Sequence, residues 1–307
     1  MKRVRPRTPR HLQPGDLVGV VAPCGPVDTN HVNRGLEFLE RTGFRVLVGI
    51  HVSERKGYLA GTDRQRCDDL NSMLTHPEVR GIVFARGGYG AMRILDSLDC
   101  RAIASDPKVL VGMSDVTALQ LSLYTRCRLM TFSGPMIAGQ VSTGLDPLSE
   151  QRLKQSLLEP IAGRNLVPES GTGILVLRHG RAAGALLGGC LSLITALLGT
   201  RHCPDFTESV LFLEEIHESL YRIDRMLVQL KLAGILDRVS GIILGHFIGP
   251  REVDQASRVE RMVMNLTLDH PVPVISRYPH GHTLPNLTLP HGAHVTLATD
   301  PPSLIVA

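Results

Sequence analysis

The sequence predicts an α/β protein in two parts, an amino-terminal parallel α/β (Rossmann-like) domain and a smaller, β-rich α+β carboxyl-terminal domain. Three observations carry this expectation. Short apolar runs alternate with helical periodicity through the first half; those runs end on glycine and polar residues; and short strand-like runs crowd the end of the second half.

Taken in order, Leu17-Val18-Gly19-Val20-Val21-Ala22 is an apolar run stopped by Pro23 and Gly25, the pattern of a buried strand feeding a loop. Residues 29–42 have helical periodicity with Val32, Leu36, Phe38 and Leu39 inward, and Gly43 stops them. Residues 45–52 read as strand and 63–74 as helix. Gly81-Ile82-Val83-Phe84-Ala85 is a strand, followed by a glycine-rich turn and a helix over 91–98. Val109-Leu110-Val111-Gly112 is the next strand, with helix over 115–125 and strand over 129–132. The pattern weakens over 142–165, where a polar helix at 148–158 is followed by Pro160, Gly163 and Pro168. The boundary is therefore set there: a first domain over 1–145, a linker over 146–168 and a second domain over 169–307. Within the second, residues 174–177, 210–213, 241–245, 272–275, 293–298 and 303–307 read as strands, and 221–233 and 255–266 as helices.

Composition narrows the function classes. Hydrophobic residues are 43% and charged residues 20%, as in ordinary globular proteins. Aromatics are 4% with no Trp, which disfavours stacking on nucleobases or sugar rings, so no nucleic-acid partner is expected. The formal charge of +4 sits largely in the opening ten residues, read as a solvated, partly disordered tail. Pro6, Pro9 and Pro14 interrupt that segment, so it lacks the apolar stretch of a secretion signal, and no run approaches a membrane span. Cys24, Cys67, Cys100, Cys127, Cys190 and Cys203 are widely spread without a C-x-x-C pair, the pattern of reduced cysteines in a cytoplasmic protein.

Three segments put polar residues at the carboxyl ends of strands, where α/β proteins usually act. Val111-Gly112-Met113-Ser114-Asp115 brings Ser114 to the mouth of a helix, where backbone N–H groups suit a nucleophile that forms an oxyanion; a Ser-Asp pair is equally an ordinary helix cap. Phe84-Ala85-Arg86-Gly87-Gly88-Tyr89-Gly90 frees backbone amides for an anion, or simply turns tightly. It matches neither a dinucleotide fingerprint nor a phosphate loop. Leu211-Phe212-Leu213-Glu214-Glu215 ends a strand on two carboxylates, either of which could orient a histidine. Tyr278-Pro279-His280-Gly281-His282-Thr283 supplies candidate histidines. With His291 and His294 these could instead be zinc ligands, but no neighbouring Cys or carboxylate completes a familiar spacing. Cys24 is a rival nucleophile with no feature arguing for a lowered pKa.

In their order and spacing these segments resemble the LD-carboxypeptidases, the muramoyltetrapeptide carboxypeptidase family that also includes microcin self-immunity peptidases. The resemblance runs through Gly15-Asp16, Ala22-Pro23, Tyr58-Leu59-Ala60-Gly61-Thr62 with Arg66, Arg86-Gly87-Gly88-Tyr89-Gly90, Gly112-Met113-Ser114-Asp115 and Gly134-Pro135. It continues through Gly184 to Gly189, Leu213-Glu214, Tyr221-Arg222-Ile223-Asp224-Arg225-Met226-Leu227 and Gly281-His282. It implies Ser114 as nucleophile, His282 as base and Glu214 as the orienting acid, with the N–H groups of Gly88 (or Gly87) and Asp115 as oxyanion hole. It further implies hydrolysis of an amide between an L-centre and a terminal D-amino acid, a murein tetrapeptide as substrate, neither cofactor nor metal, and a homodimer. Cys190 stands where the family usually has Asn, Cys24 where Ser is usual, and Glu215 where Asp is common.

Overall fold

The computed structural model describes residues 6–169, 173–250 and 254–307. The first half winds β1 (Leu17–Val21), α1 (Thr29–Arg41), β2 (Arg45–Val48), α2 (Asp63–Thr75), β3 (Val79–Phe84), α3 (Cys100–Ser105), β4 (Val109–Gly112), α4 (Val116–Ser122) and β5 (Thr131–Ser133). The five strands pair in parallel in the order β5-β4-β3-β1-β2. Every residue of β1 and β4 is buried, which is why they read as unbroken apolar runs. Asp28 caps α1 through the N–H groups of Asn30 and His31, and Thr62 with Gln65 forms a reciprocal capping box on α2.

The second half contains α5 (Pro147–Leu158), β6 (Leu175–Arg178), β7 (Arg181–Cys190), α6 (Leu191–Leu197), β8 (Val210–Ile216), α7 (Leu220–Leu232), β9 (Gly241–Ile248), α8 (Gln255–Leu266), β10 (Val274–Ser276), β11 (Leu289–His291), β12 (His294–Thr299) and β13 (Pro302–Val306). Seven of its strands form one sheet in the order β13-β12-β7-β8-β9-β10-β6, with β7 to β10 parallel and antiparallel strands on both flanks. The eighth, β11, crosses to the first sheet and pairs antiparallel with β5. Strand β7 has little β propensity because it is built of Gly and Ala. Its glycines answer to crowding: a Cβ at Gly184 would fall on the Glu208 carbonyl, and one at Gly188 on the Phe212 carbonyl.

The two sheets share a core. Val18, Val20, Val83 and Val111 lie in one buried cluster with Leu186, Val210, Phe212 and Ile275. The segment 146–168, read as a linker, carries α5, whose Leu153 and Leu157 enter that cluster; each such burial stabilises the fold by about 1.5–3 kcal/mol. Leu157 accepts the Leu12 N–H at 2.7 Å, and the Leu166 N–H reaches Leu304 at 2.7 Å.

Two expectations are corrected. Residues 1–5 of the basic tail lie outside the described residues, but from Pro6 onward the chain is docked: the Arg7 N–H donates to Arg128 at 2.6 Å and Pro9 is buried. The cysteines are not all reduced, since Cys100 and Cys127 form a disulfide with Cα atoms 5.0 Å apart, while Cys24, Cys67, Cys190 and Cys203 are free. The pairing arises because α4 runs on through a wide turn, Leu123–Cys127, to the start of α3, a tertiary contact that spacing along the chain does not reveal. No helix among the described residues is long and apolar enough to cross a membrane.

Gly188→Ala should lower the melting temperature by several degrees, a cost of about 2 kcal/mol or more, because Gly188 has φ +152° and no room for a Cβ. A thermal melt followed by circular dichroism measures it, and an unchanged midpoint would contradict the packing described.

Candidate active site

Strand β4 ends at Gly112, where a Cβ would press on Phe84 at 2.7 Å and Val116 at 2.9 Å. The chain then turns sharply, and Ser114 takes a φ of 61°, a left-handed conformation that costs a residue with a side chain about 1–3 kcal/mol. The turn lifts the half-buried Ser114 side chain toward the glycine-rich loop. Gly87 leaves it space: a Cβ there would stand 2.7 Å from Ser114 Cβ, 2.9 Å from its Oγ and 3.3 Å from the Asp115 nitrogen. Among the described residues, neither the Gly88 nor the Asp115 N–H donates to a protein acceptor, so both are free for an anionic oxygen.

The loop is held from below. The Asp115 carboxylate accepts the Ala91 N–H at 2.8 Å. Burial raises its pKa, opposed by the Ala91 N–H, the Cys24 thiol and the charge of Arg66. Arg66 is itself buried and donates to the carbonyls of Pro23 and, at 2.9 Å, Gly90, so that one guanidinium joins the loop after β1 to the loop after β3. Its other arm meets Asp63 at 2.5 Å. Burial and the neighbouring Asp115 push the Cys24 thiol well up, which keeps it protonated and unfit as a nucleophile.

Strand β8 delivers the two carboxylates, and a register shift between Leu213 and Glu215 separates them. Glu214 is buried and its Oε2 lies 2.7 Å from His282 Nδ1. Glu215 points elsewhere: it accepts the N–H groups of Ser192 at 2.7 Å and Ile216 at 3.0 Å, and the Cys190 thiol at 3.3 Å. With Nδ1 donating to Glu214, His282 keeps Nε2 as its acceptor. Gly281 precedes it with φ +135°, and a Cβ there would lie 3.1 Å from the His246 Cβ and 3.3 Å from Glu214 Oε2. Burial lowers the His282 pKa, but the charge of Glu214, its hydrogen bond and the charge of Glu215 outweigh burial and raise it above 6.5. Neighbouring His246 goes the other way: burial and the charges of His280 and His282, against Glu214, bring it to about 4.

The structure thus groups Ser114 with Gly87 and Asp115, and His282 with Glu214. No hydrogen bond joins Ser114 to His282. The residues immediately before them are bridged by Asn286, which sequence reasoning passed over: its Nδ2 lies 3.2 Å from Met113 Sδ, and its Oδ1 accepts the Gly281 N–H at 3.1 Å. An Asn two residues before a Thr-Leu-Pro run offers no pattern by which it could have been singled out.

The histidines weighed as metal ligands are engaged elsewhere. His280 is hydrogen-bonded to the Leu287 carbonyl and Ser133, His291 is buried against Phe212 and Tyr124 with its pKa lowered to about 3 by burial, and His294 is exposed. Among the described residues no group of three or more His, Cys, Asp or Glu could hold a metal ion. A second array, Ser122–His202–Asp96 at 2.8 and 2.9 Å, resembles a triad in its bonding, but Ser122 is buried in α4 and the array ties the two halves together.

Residues 18–134 match the model of the LD-carboxypeptidase N-terminal domain, and residues 183–297 that of the LD-carboxypeptidase C-terminal domain. The chain belongs to the LD-carboxypeptidase family. The murein tetrapeptide carboxypeptidase of Pseudomonas aeruginosa is 33% identical, over 95% of this chain and 97% of its own. The crystal structure of a muramoyltetrapeptide carboxypeptidase from Oxalobacter formigenes superposes with a TM-score of 0.81 at 29% identity, covering 94% of this chain and 97% of that one. The microcin C7 self-immunity protein MccF in complex with aspartyl sulfamoyl adenosine gives 0.89 at 27% identity, covering 98% and 99%; the Escherichia coli protein of that name is 28% identical over 94% of this chain and 92% of its own. Cys190 stands opposite Glu214 in the β7–β8 register.

A titration of His282 by NMR should give a pKa above 6.5, and Glu214→Gln should bring it below. Because the folded pKa is raised, the charged pair stabilises the fold fully below the unfolded-state pKa and is lost as pH rises through the folded value. An imidazole titrating below 6.5 in the unaltered protein would contradict the pairing.

Proposed function

We propose that the chain is a serine carboxypeptidase that hydrolyses the amide between an L-centre and a terminal D-amino acid, releasing D-alanine from a murein tetrapeptide in the cytoplasm. Ser114 is the nucleophile, His282 the base and Glu214 the acid that orients it. The observation that carries this reading is the buried Glu214–His282 pair at 2.7 Å, whose free nitrogen belongs to the loop bridged to the Ser114 turn.

In the reaction, His282 Nε2 takes the Ser114 proton as Oγ attacks the scissile carbonyl, and the oxyanion lies against the Gly88 and Asp115 N–H groups. The imidazolium, stabilised by Glu214, returns the proton to the departing D-amino acid nitrogen; water then releases the acyl group by the same route. Catalysis needs neutral imidazole, so the raised pKa of His282 places the acid limb of the pH profile above 6.5. The division into a domain bearing Ser114 and one bearing Glu214 and His282 lets small movements between the halves gate the step.

A second reading, hydrolysis of a peptidyl or aminoacyl nucleotide, is favoured by the TM-score of 0.89 to MccF holding a sulfamoyl adenosine. Murein tri-, tetra- and pentapeptides and an aminoacyl sulfamoyl adenosine, each incubated with the protein and followed by mass spectrometry, separate the two. Release of free D-alanine from the tetrapeptide, about 10-fold or more faster than cleavage of the nucleotide, is expected. The reverse order would make the second reading the function.

Ser114→Ala should fold normally and lose at least about a thousandfold in kcat, since removing a triad member typically costs that much. Near-wild-type turnover in a clean preparation would sink the mechanism. Activity should be indifferent to EDTA, because among the described residues no group of three or more His, Cys, Asp or Glu could hold a metal ion; loss in EDTA with recovery on adding zinc would replace the serine mechanism by a metal one.

A further inference from the structure

We propose that Asn286 is a positioning residue that sets His282 against Ser114, a role that rests on the triad reading above. Asn286 is fully buried at 0% exposure, where an amide with unmet groups would cost about 1–3 kcal/mol. All of its side-chain atoms are used. Nδ2 donates to Gln140 Oε1 at 2.5 Å and approaches Met113 Sδ at 3.2 Å, while Oδ1 accepts the Gly281 N–H at 3.1 Å. Its own N–H donates to Ser149 Oγ at 2.7 Å, and Ser149 in turn donates to Asp146.

The placement matters more than the number of bonds. Met113 immediately precedes Ser114, and Gly281 immediately precedes His282, so one planar amide joins the side chain of the residue next to the nucleophile to the backbone next to the base. Gln140 adds a second strut: its Nε2 donates to the carbonyls of Gly281 at 3.2 Å and Thr283 at 3.3 Å, gripping the chain on both sides of His282. Met113 and Gln140 belong to the first half of the chain and Gly281, Thr283 and Asn286 to the second. The amide group is chemically selected, because it must accept from an N–H while donating to a carbonyl and touching a thioether, a weak acceptor. Neither residue touches Glu214, whose bond to His282 aims the ring; Asn286 and Gln140 govern how far that ring stands from Ser114. A displacement of about 1 Å at such a distance costs on the order of a hundredfold in rate.

The test compares the unaltered protein with Asn286→Leu, which keeps the branched shape and removes the polar bonds, and Gln140→Ala, at a half-buried position that should fold readily. The rate at which a fluorophosphonate labels Ser114 reads the base-activated hydroxyl without any peptide, and kcat and KM are measured on murein tetrapeptide. Both variants should label about tenfold or more slowly, lose about tenfold to a hundredfold in kcat, and keep KM within about twofold. The acid-limb pKa should stay in place, because the Glu214–His282 pair is untouched. Labelling and kcat within about twofold of the unaltered protein, or a loss confined to KM, would overturn the proposal; should Asn286→Leu fail to fold, Gln140→Ala alone decides by the same criteria. Absence of labelling at Ser114 in the unaltered protein would overturn the triad reading itself, and this proposal with it.

Discussion

Ser114 stands in a left-handed backbone conformation at the end of a buried strand, and its surroundings are shaped to tolerate it. Gly112 gives the strand end clearance from Phe84 and Val116, and Gly87 withdraws any side chain from the Ser114 oxygen. The Asp115 carboxylate then turns inward to hold the Ala91 N–H, which fixes the glycine loop relative to the serine turn. Strain of about 1–3 kcal/mol persists in a folded protein only where the surroundings over-determine it. Here they do so through buried groups, Asp115 and Arg66, which also define where the free amides of Gly88 and Asp115 lie.

The same constraint couples the halves of the molecule. The strained turn carries Ser114 without a histidine, and His282, the base proposed for it, arrives on a loop more than 160 residues later, flanked by β10 and β11. That loop cannot drift, because β11 adds to the first sheet on β5 while β10 belongs to the second. Thr117 of α4 takes the Cys190 N–H at 3.2 Å, and a Cβ at Gly189 would strike that threonine, so β7 can approach α4 only as glycine. The close approach brings the carboxyl end of β7, whose Cys190 is paired with Glu214 of β8, against α4.

Much of this was legible. The strands β1, β3, β4, β8 and β9 are buried apolar runs with glycine or charge at their ends, and both features follow from lying in the middle of parallel sheets. What escaped was α3, β7, α6, β11 and the Cys100–Cys127 pair. Strand β7 is Gly- and Ala-rich because of what it packs against, and local propensity argues against a strand there. β11 is three residues long and contains a proline, so its pairing with β5 is a tertiary fact with no periodicity to betray it. Asn286 was missed for a related reason: its meaning lies in Met113 and Gly281, which are 173 and 5 positions away.

The adjacent carboxylates show how the site divides labour between groups of the same kind. Side chains in a strand alternate between faces, so Glu214 and Glu215 cannot both reach His282 from β8. Glu214 faces the histidine with one oxygen and leaves Oε1 without a protein partner. Glu215 is satisfied instead by the Ser192 and Ile216 N–H groups and the Cys190 thiol, yet its charge still contributes to raising the His282 pKa. Cys190 therefore serves Glu215 rather than the histidine. Burial and the two carboxylates hold its thiol protonated, so it remains a donor to Glu215 and not a competing nucleophile. One carboxylate aims His282 and the other anchors the amino-terminal turn of α6 against β8, and the chemistry proposed for Ser114 depends on that separation being kept.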